Sequence, residues 1–270
     1  MSQGISDDVR GRVGAILDRV EREHGIRILF AVESGSRAWG FASPDSDYDV
    51  RFVYARPVEW YLSLEKRRDV IELPIEDGMD VNGWDIQKAL LLLLKANPAL
   101  LEWLNSPIIY REGPAMTDLG YLANQIDHRK AARHHYLHLG LNQFRSQIDG
   151  RERVAIKKYF YCLRPAAALR WERTHKHGRV PMDLPTLLAG IDLAPSLRAA
   201  IDDLLARKAI SSEMGEGERI SEIDRFVREE FRLAQAQSPR VPALDPSLID
   251  KAQALFLRSM TGANREALSC

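Results

Sequence analysis

Two aspartates, Asp47 and Asp49, alternate along the β-branched and aromatic run Ser46-Asp47-Tyr48-Asp49-Val50-Arg51-Phe52-Val53-Tyr54, shortly after a Gly35-Ser36 turn. The run reads as a strand, and its period of two puts both carboxylates on one face, with Tyr48 and Val50 on the other. Like charges that close disfavour each other's ionisation and raise one pKa unless a cation fills the gap. Magnesium suits such a site, because it takes few carboxylates and completes its shell with water and the phosphates of a substrate. A pair of such ions activates an attacking oxygen and stabilises a leaving one.

The Gly35-Ser36 turn complements that chemistry. Ile26-Arg27-Ile28-Leu29-Phe30-Ala31-Val32 is a short apolar run consistent with a buried strand, and Gly35 ends it. Glycine lets backbone N–H groups approach a ligand, and the Ser36 hydroxyl can donate to a phosphate oxygen. Arg37 could fork onto a γ-phosphate, or pair with Glu33 or Asp45 to hold the loop. Arg51 follows on the acid face, where it could neutralise phosphate or the acids. Trp39 could cover a nucleotide or pack against other side chains. A lone Gly-Ser is a common turn and a lone Asp-x-Asp a common solvated loop, so the joint pattern is what points to nucleotide transfer.

The run Gly35-Ser36-Arg37-Ala38-x-Gly40 followed by Ser46-Asp47-x-Asp49 resembles the signature of the DNA polymerase β nucleotidyltransferase superfamily. Gly83-Trp84-Asp85-Ile86-Gln87-Lys88-Ala89-Leu90 and Asn97-Pro98-Ala99-Leu100-Leu101-Glu102-Trp103-Leu104-Asn105-Ser106-Pro107 resemble its YcgL/RlaP-type branch, nucleotidyltransferases associated with RNA repair. The likeness spans about residues 25–175. It implies that Gly35 and Ser36 hold the triphosphate, that Asp47 and Asp49 bind metal, and that a third carboxylate comes from a neighbouring strand. Asp80 and Asp85 are the candidates, and they fall on opposite strand faces. Asp85 is preferred, at a strand end beside Gly83 and just before an apolar helix. Asp80 is the runner-up, and Asp85 could instead be only the cap of that helix.

The implied reaction moves a nucleoside monophosphate from a nucleoside triphosphate such as ATP to an acceptor hydroxyl, releasing pyrophosphate, with two Mg2+ ions and Mn2+ as an alternative. The expected acceptor is an RNA end, tRNA or a broken RNA. Modification of a partner protein, and a non-catalytic antitoxin-like nucleotide-binding module, are the competing readings.

The expected fold is α+β: a catalytic domain over residues 1–112, with helices on a small mixed or antiparallel sheet, then a helical substrate-binding and nucleotide-binding domain over 113–270. Val9, Val13, Ile16, Leu17 and Val20 recur at helical spacing between Ser6-Asp7 and Gly25. Strands are expected near 26–32, 48–54, 69–73 and 80–84, with a hairpin turn at Glu76-Asp77-Gly78, a capped helix after Asn97-Pro98 and an edge strand at Pro107-Ile108-Ile109-Tyr110. Antiparallel neighbours should carry the third acid to the pair. The domain boundary is placed at Glu112-Gly113-Pro114.

In the helical part, Lys157, Tyr161 and Arg164 share one helical face, suited to stacking a base on Tyr161 while the cations meet phosphates. The alternative is an ordinary surface helix with snorkelling cations. His134 and His138 have the spacing of a zinc pair. Without a neighbouring glutamate or cysteine, they and the nearby His128 and His135 read as solvated or RNA-facing side chains.

Composition bounds the rest. The chain has 270 residues, 45% of them hydrophobic, with 38 basic and 38 acidic side chains. Zero net charge argues against coating nucleic acid by overall charge and leaves local basic stretches, at 127–135 and 151–158. The longest apolar run, Ala89–Leu94, stops at Lys95, so no membrane span is expected. Met1–Asp8 shows no signal-peptide pattern, and a cytoplasmic protein is expected. Cys162 and Cys270 make no disulfide framework. Oligomeric state is not encoded in any motif.

Overall fold

The computed structural model describes residues 5–65, 67–176, 178–210, 214–237 and 243–261; Cys270 lies outside them. In chain order the elements begin with α1 (Asp7–His24), β1 (Arg27–Ser34), α2 (Gly35–Ala38), β2 (Tyr48–Ala55), α3 (Val58–Tyr61), β3 (Val70–Glu72), β4 (Met79–Asp85), α4 (Ile86–Leu94), α5 (Pro98–Trp103), β5 (Ile109–Arg111) and α6 (Pro114–Ala123). They continue with α7 (Arg129–Gln147), β6 (Arg153–Ala155), α8 (Lys158–Thr174), α9 (Leu184–Ala189), α10 (Pro195–Ile210), β7 (Glu216–Glu218), α11 (Ser221–Gln235) and α12 (Pro246–Thr261).

Two compact units result, one formed by Met1–Gly35, Asp47–Ile126 and Ala243–Cys270, the other by Ser36–Ser46 and Asp127–Pro242. The first holds a mixed sheet in the order β3-β4-β2-β1-β5. Its helix α1 starts on the Ser6 side chain, which accepts from Val9 N, and ends at Gly25 in the left-handed region. Val9, Val13, Leu17 and Val20 from that helix pack on Ile28, Val50, Phe52, Tyr54 and Val81 of the sheet. The expected hairpin is present: Asp77 and Gly78 both take positive φ, 50° and 69°, as a two-residue turn of matching twist requires.

The pairing of β2 with β4 is parallel, not antiparallel as expected. After β2 the chain crosses by α3 to the outer strand β3, and the hairpin then returns it alongside β2 in the same direction. Gly83 has no spare room for a ligand, since a Cβ there would lie 2.1 Å from the Phe52 ring. Asn97 caps α5 by accepting from Leu100 N, and β5 pairs antiparallel with β1 at the sheet edge.

The boundary expected at 112–114 falls inside this unit. Gly113 lies so close to β1 that a Cβ would sit 2.1 Å from the Leu29 carbonyl oxygen. Helix α6 then buries Ala115, Leu119 and Leu122, packing on β1 and on α12. From the far end of the chain, α12 adds buried Leu248, Ala252 and Leu255. Its Phe256 meets Tyr61 edge-on at 5.0 Å, and its Arg258 pairs with Asp118 at 3.5 Å.

Among its described residues the second unit is helical apart from the β6–β7 ribbon, which the expectation of an all-helical domain lacked. Helix α8 runs unbroken through Pro165, and Gly140 of α7 leaves room for Pro165 and Phe231. Buried carboxylates tie the helices together: Glu172 pairs with Arg133 at 2.7 Å and Arg129 at 3.0 Å, and Glu230 with Arg170 at 2.6 Å and Arg173 at 2.9 Å. Segment 36–46 joins this core through Phe41, stacked on Phe160 at 4.9 Å, and through the Trp39 carbonyl, which accepts from Leu184 N at 2.8 Å.

Candidate active site

Parallel register sets Asp49 opposite Asp80 at the N-terminal ends of β2 and β4. Both side chains are part-exposed, and the Arg51 guanidinium bridges them, 3.1 Å from Asp49 Oδ1 and 2.7 Å from Asp80 Oδ2. Its other amino group donates to the Asp80 carbonyl at 2.8 Å and the Val50 carbonyl at 3.1 Å, so the arginine is held at both ends. Burial pushes the Asp49 carboxyl above its ordinary value; Arg51 opposes the shift, while Asp80 and Asp47 add to it. Three carboxylates thus crowd one corner of the sheet.

The backbone around them explains the glycines. Gly35 has φ of +62°, and a Cβ there would lie 1.9 Å from Asp49 Oδ2, so the carboxylate occupies the space a side chain would need. The hairpin turn closes the other side. Tyr48 N donates to the Gly78 carbonyl at 2.8 Å, and the Gly78 Cα edge faces Asp47 Oδ1. Beneath, wholly buried Glu33 accepts from Asp49 N at 2.8 Å and from the Tyr110 hydroxyl. Glu33 therefore sets the backbone of Asp49, a role its place at the end of an apolar strand does not announce.

Asp85 stands elsewhere. It pairs with Tyr54 at the opposite end of the same two strands, is 3% exposed, and caps α4 by accepting from Gln87 N at 2.8 Å. Its second oxygen accepts from the Tyr61 hydroxyl at 2.9 Å. The preference for Asp85 as third acid is corrected by this placement. Five residues of strand at about 3.3 Å each separate it from Asp80, and the carboxylate beside the pair is Asp80.

In the helical unit the other candidates divide. Ser36 follows Gly35 in α2, and its carbonyl accepts from Phe41 N at 3.1 Å. Arg37 donates to the Ser46 carbonyl and so spans the loop. Lys157 is exposed and precedes the first turn of α8. Tyr161 is 37% exposed, with Trp39 at 6.4 Å and Phe41 at 6.2 Å. Arg164 does not share their exposure: it donates to the Met182 carbonyl at 2.8 Å and lies over the Trp39 ring at 4.5 Å, so its role is packing. The His134 and His138 rings lie 4.1 Å apart at a tilt of 38°, and among the described residues no group of three or more His, Cys, Asp or Glu side chains is placed to hold a metal ion.

Known proteins match the sequence along almost the whole chain. Residues 9–258 match the family described as RlaP: RNA repair pathway DNA polymerase beta family. YcgL of Bacillus subtilis (strain 168), described as an uncharacterized protein, is 40% identical over 262 residues, covering 96% of each chain. A solved nucleotidyltransferase-like protein from Exiguobacterium sibiricum 255-15 aligns at 13% identity over 94% of this chain and 81% of its own, with a TM-score of 0.29, too loose an overlap to bear on the fold. Among the described residues no helix is long and apolar enough to cross a membrane. With the acid strand, its glycine turn and a family match running from the first helix to the last, the chain belongs to the RNA repair pathway DNA polymerase beta family and is a nucleotidyltransferase.

Proposed function

We propose that the protein moves a nucleoside monophosphate from a nucleoside triphosphate onto the hydroxyl of an RNA end, with Asp47, Asp49 and Asp80 as the acid set. The observation that carries this reading is the Asp49–Asp80 pairing in parallel register, with Asp49 pressed into the space left by Gly35. Asp47, Asp49 and Asp80 are hard-oxygen donors of the kind magnesium takes, with manganese as an alternative, and a divalent ion would offset the burial that disfavours ionisation of Asp49. Bound there, divalent ions would supply charge neutralisation for the attacking and leaving oxygens.

The chain's own residues do the rest. Gly35 and the Ser36 hydroxyl receive the triphosphate, Arg51 bridges Asp49 and Asp80 and holds them side by side, and Glu33 fixes the Asp49 backbone. Asp80 orients the acceptor hydroxyl and takes its proton as the oxygen–phosphorus bond forms and the bond to pyrophosphate breaks. Positioning and electrostatics carry most of such a reaction.

The test incubates the protein with each labelled nucleoside triphosphate, magnesium and total RNA or lysate. Label is expected in RNA. Asp80→Asn should lower the rate about a hundredfold or more, and Asp85→Asn should leave it within the range of a structural change. Equal activity of wild type and the Asp47→Ala, Asp49→Ala double variant sinks the acid-site reading, label in protein replaces the acceptor, and loss in Asp85→Asn with retention in Asp80→Asn reverses the choice of third acid.

A further inference from the structure

Lys208, on α10, is 9% exposed, an uncommon place for an ammonium. Its Nζ donates to Ser43 Oγ at 2.9 Å, and Ser43 is itself buried. Ser43 in turn lies 3.0 Å from Ser46 Oγ, to which its own backbone N–H donates at 2.9 Å. Among the described residues Ser43 is the one hydrogen-bond partner of this ammonium, and no carboxylate forms an ion pair with it. An ammonium carries three donors, and a buried charge is held at a free-energy disadvantage unless it is paired.

A second cation stands near. Burial lowers the Lys208 pKa most, exposed Asp45 pulls it back up, and Lys157 pushes it down by less than Asp45 raises it. Lys157 immediately precedes α8, whose Tyr161 lies against Trp39 and Phe41 of the same 36–46 segment that Lys208 reaches through Ser43. A buried ammonium with a neutral partner and uncommitted donors, beside an exposed lysine, has the makeup of a site for an anion.

We propose that Lys208 and Lys157 form a phosphate seat along segment 36–46, taking one phosphoryl group of a polyphosphate chain, the ligand class that nucleotidyl transfer consumes and releases. The assignment rests on the reaction proposed above, and it adds a residue that no motif marks. The competing role is purely mechanical, with Lys208 pinning the loop through Ser43.

Binding of inorganic tripolyphosphate to the full chain, measured by titration calorimetry in metal-free buffer, separates the two roles. Lys208→Gln keeps an N–H donor for Ser43 and removes the charge, whereas Ser43→Ala removes the pin and keeps the charge. Lys208→Gln and Lys157→Gln should each weaken binding about tenfold or more and flatten its salt dependence, with Ser43→Ala unchanged. Absence of binding by wild type, unchanged binding in Lys157→Gln, or a loss in Ser43→Ala equal to that in Lys208→Gln overturns the seat. Should Lys208→Gln fail to fold in a thermal melt, Lys157→Gln at its exposed position carries the test. Label transfer to RNA is read on the same preparations. Charge-dependent tripolyphosphate binding without transfer keeps the seat and removes the proposed reaction, and transfer with binding insensitive to both lysines does the reverse.

Discussion

Arg51 joins Asp49 and Asp80 through one amino group and grips two backbone carbonyls with the other, so the pair is neutralised by a side chain that cannot drift. Among the forces on Asp49, Arg51 is the first that lowers its pKa. Arg51→Ala should therefore move the acid limb of the pH–rate profile to higher pH, read from transfer rates across pH. Asp49 itself has a folded pKa above its ordinary 3.8. The stability it contributes is then fully present below the unfolded value and lost as pH rises through the folded one. Metal-free Asp49→Asn, fixed neutral, should melt higher than wild type at neutral pH and no differently below 3.8, while losing transfer. A lower melting temperature at neutral pH would contradict this. Asp47, Asp49, Gly35 and Ser36 could be singled out from the sequence because they lie in one contiguous run. Lys208 could not, since a lysine on an amphipathic helix looks solvated until a distant loop covers it.

At the scale of elements, one pairing direction decides which of Asp80 and Asp85 lies beside Asp49. Local patterning placed β4 and its hairpin closely, but whether β4 runs with or against β2 depends on the crossover through α3 and β3, which no window of residues around Asp80 or Asp85 encodes. Parallel register sends Asp80 to the acid corner and leaves Asp85 to cap α4 and receive Tyr61. Asp85→Ala should thus destabilise by about 1–3 kcal/mol, from the lost cap and the unpaired hydroxyl, with transfer retained in the folded fraction. Urea denaturation beside single-turnover transfer checks it, and a fully stable but inactive variant would count against the structural role.

For the whole molecule, the last described helix belongs to the first unit, contrary to the simple order of sheet then helices. Leu248 and Leu255 of α12 are buried against α4 and α6. Deleting the chain from Ala243 should destabilise the sheet unit by about 3–6 kcal/mol, seen as faster amide exchange in β1, β2 and β4 than in α8 and α11. Equal acceleration in both units would argue otherwise. The turn residues at 112–114 misled because Glu-Gly-Pro marks a chain reversal, and only packing says whether the next helix leaves or stays.

The excursion of residues 36–46 out of the sheet unit and back has a consequence for inheritance. Each unit is encoded in pieces, so a single cut and splice in the gene cannot transplant either one intact, and an exchange of the whole helical unit must also cut at Gly35-Ser36 and Ser46-Asp47. Recombination that swapped the helical part for another would have to rewrite the motif of the reaction itself, which binds the two halves into one heritable unit.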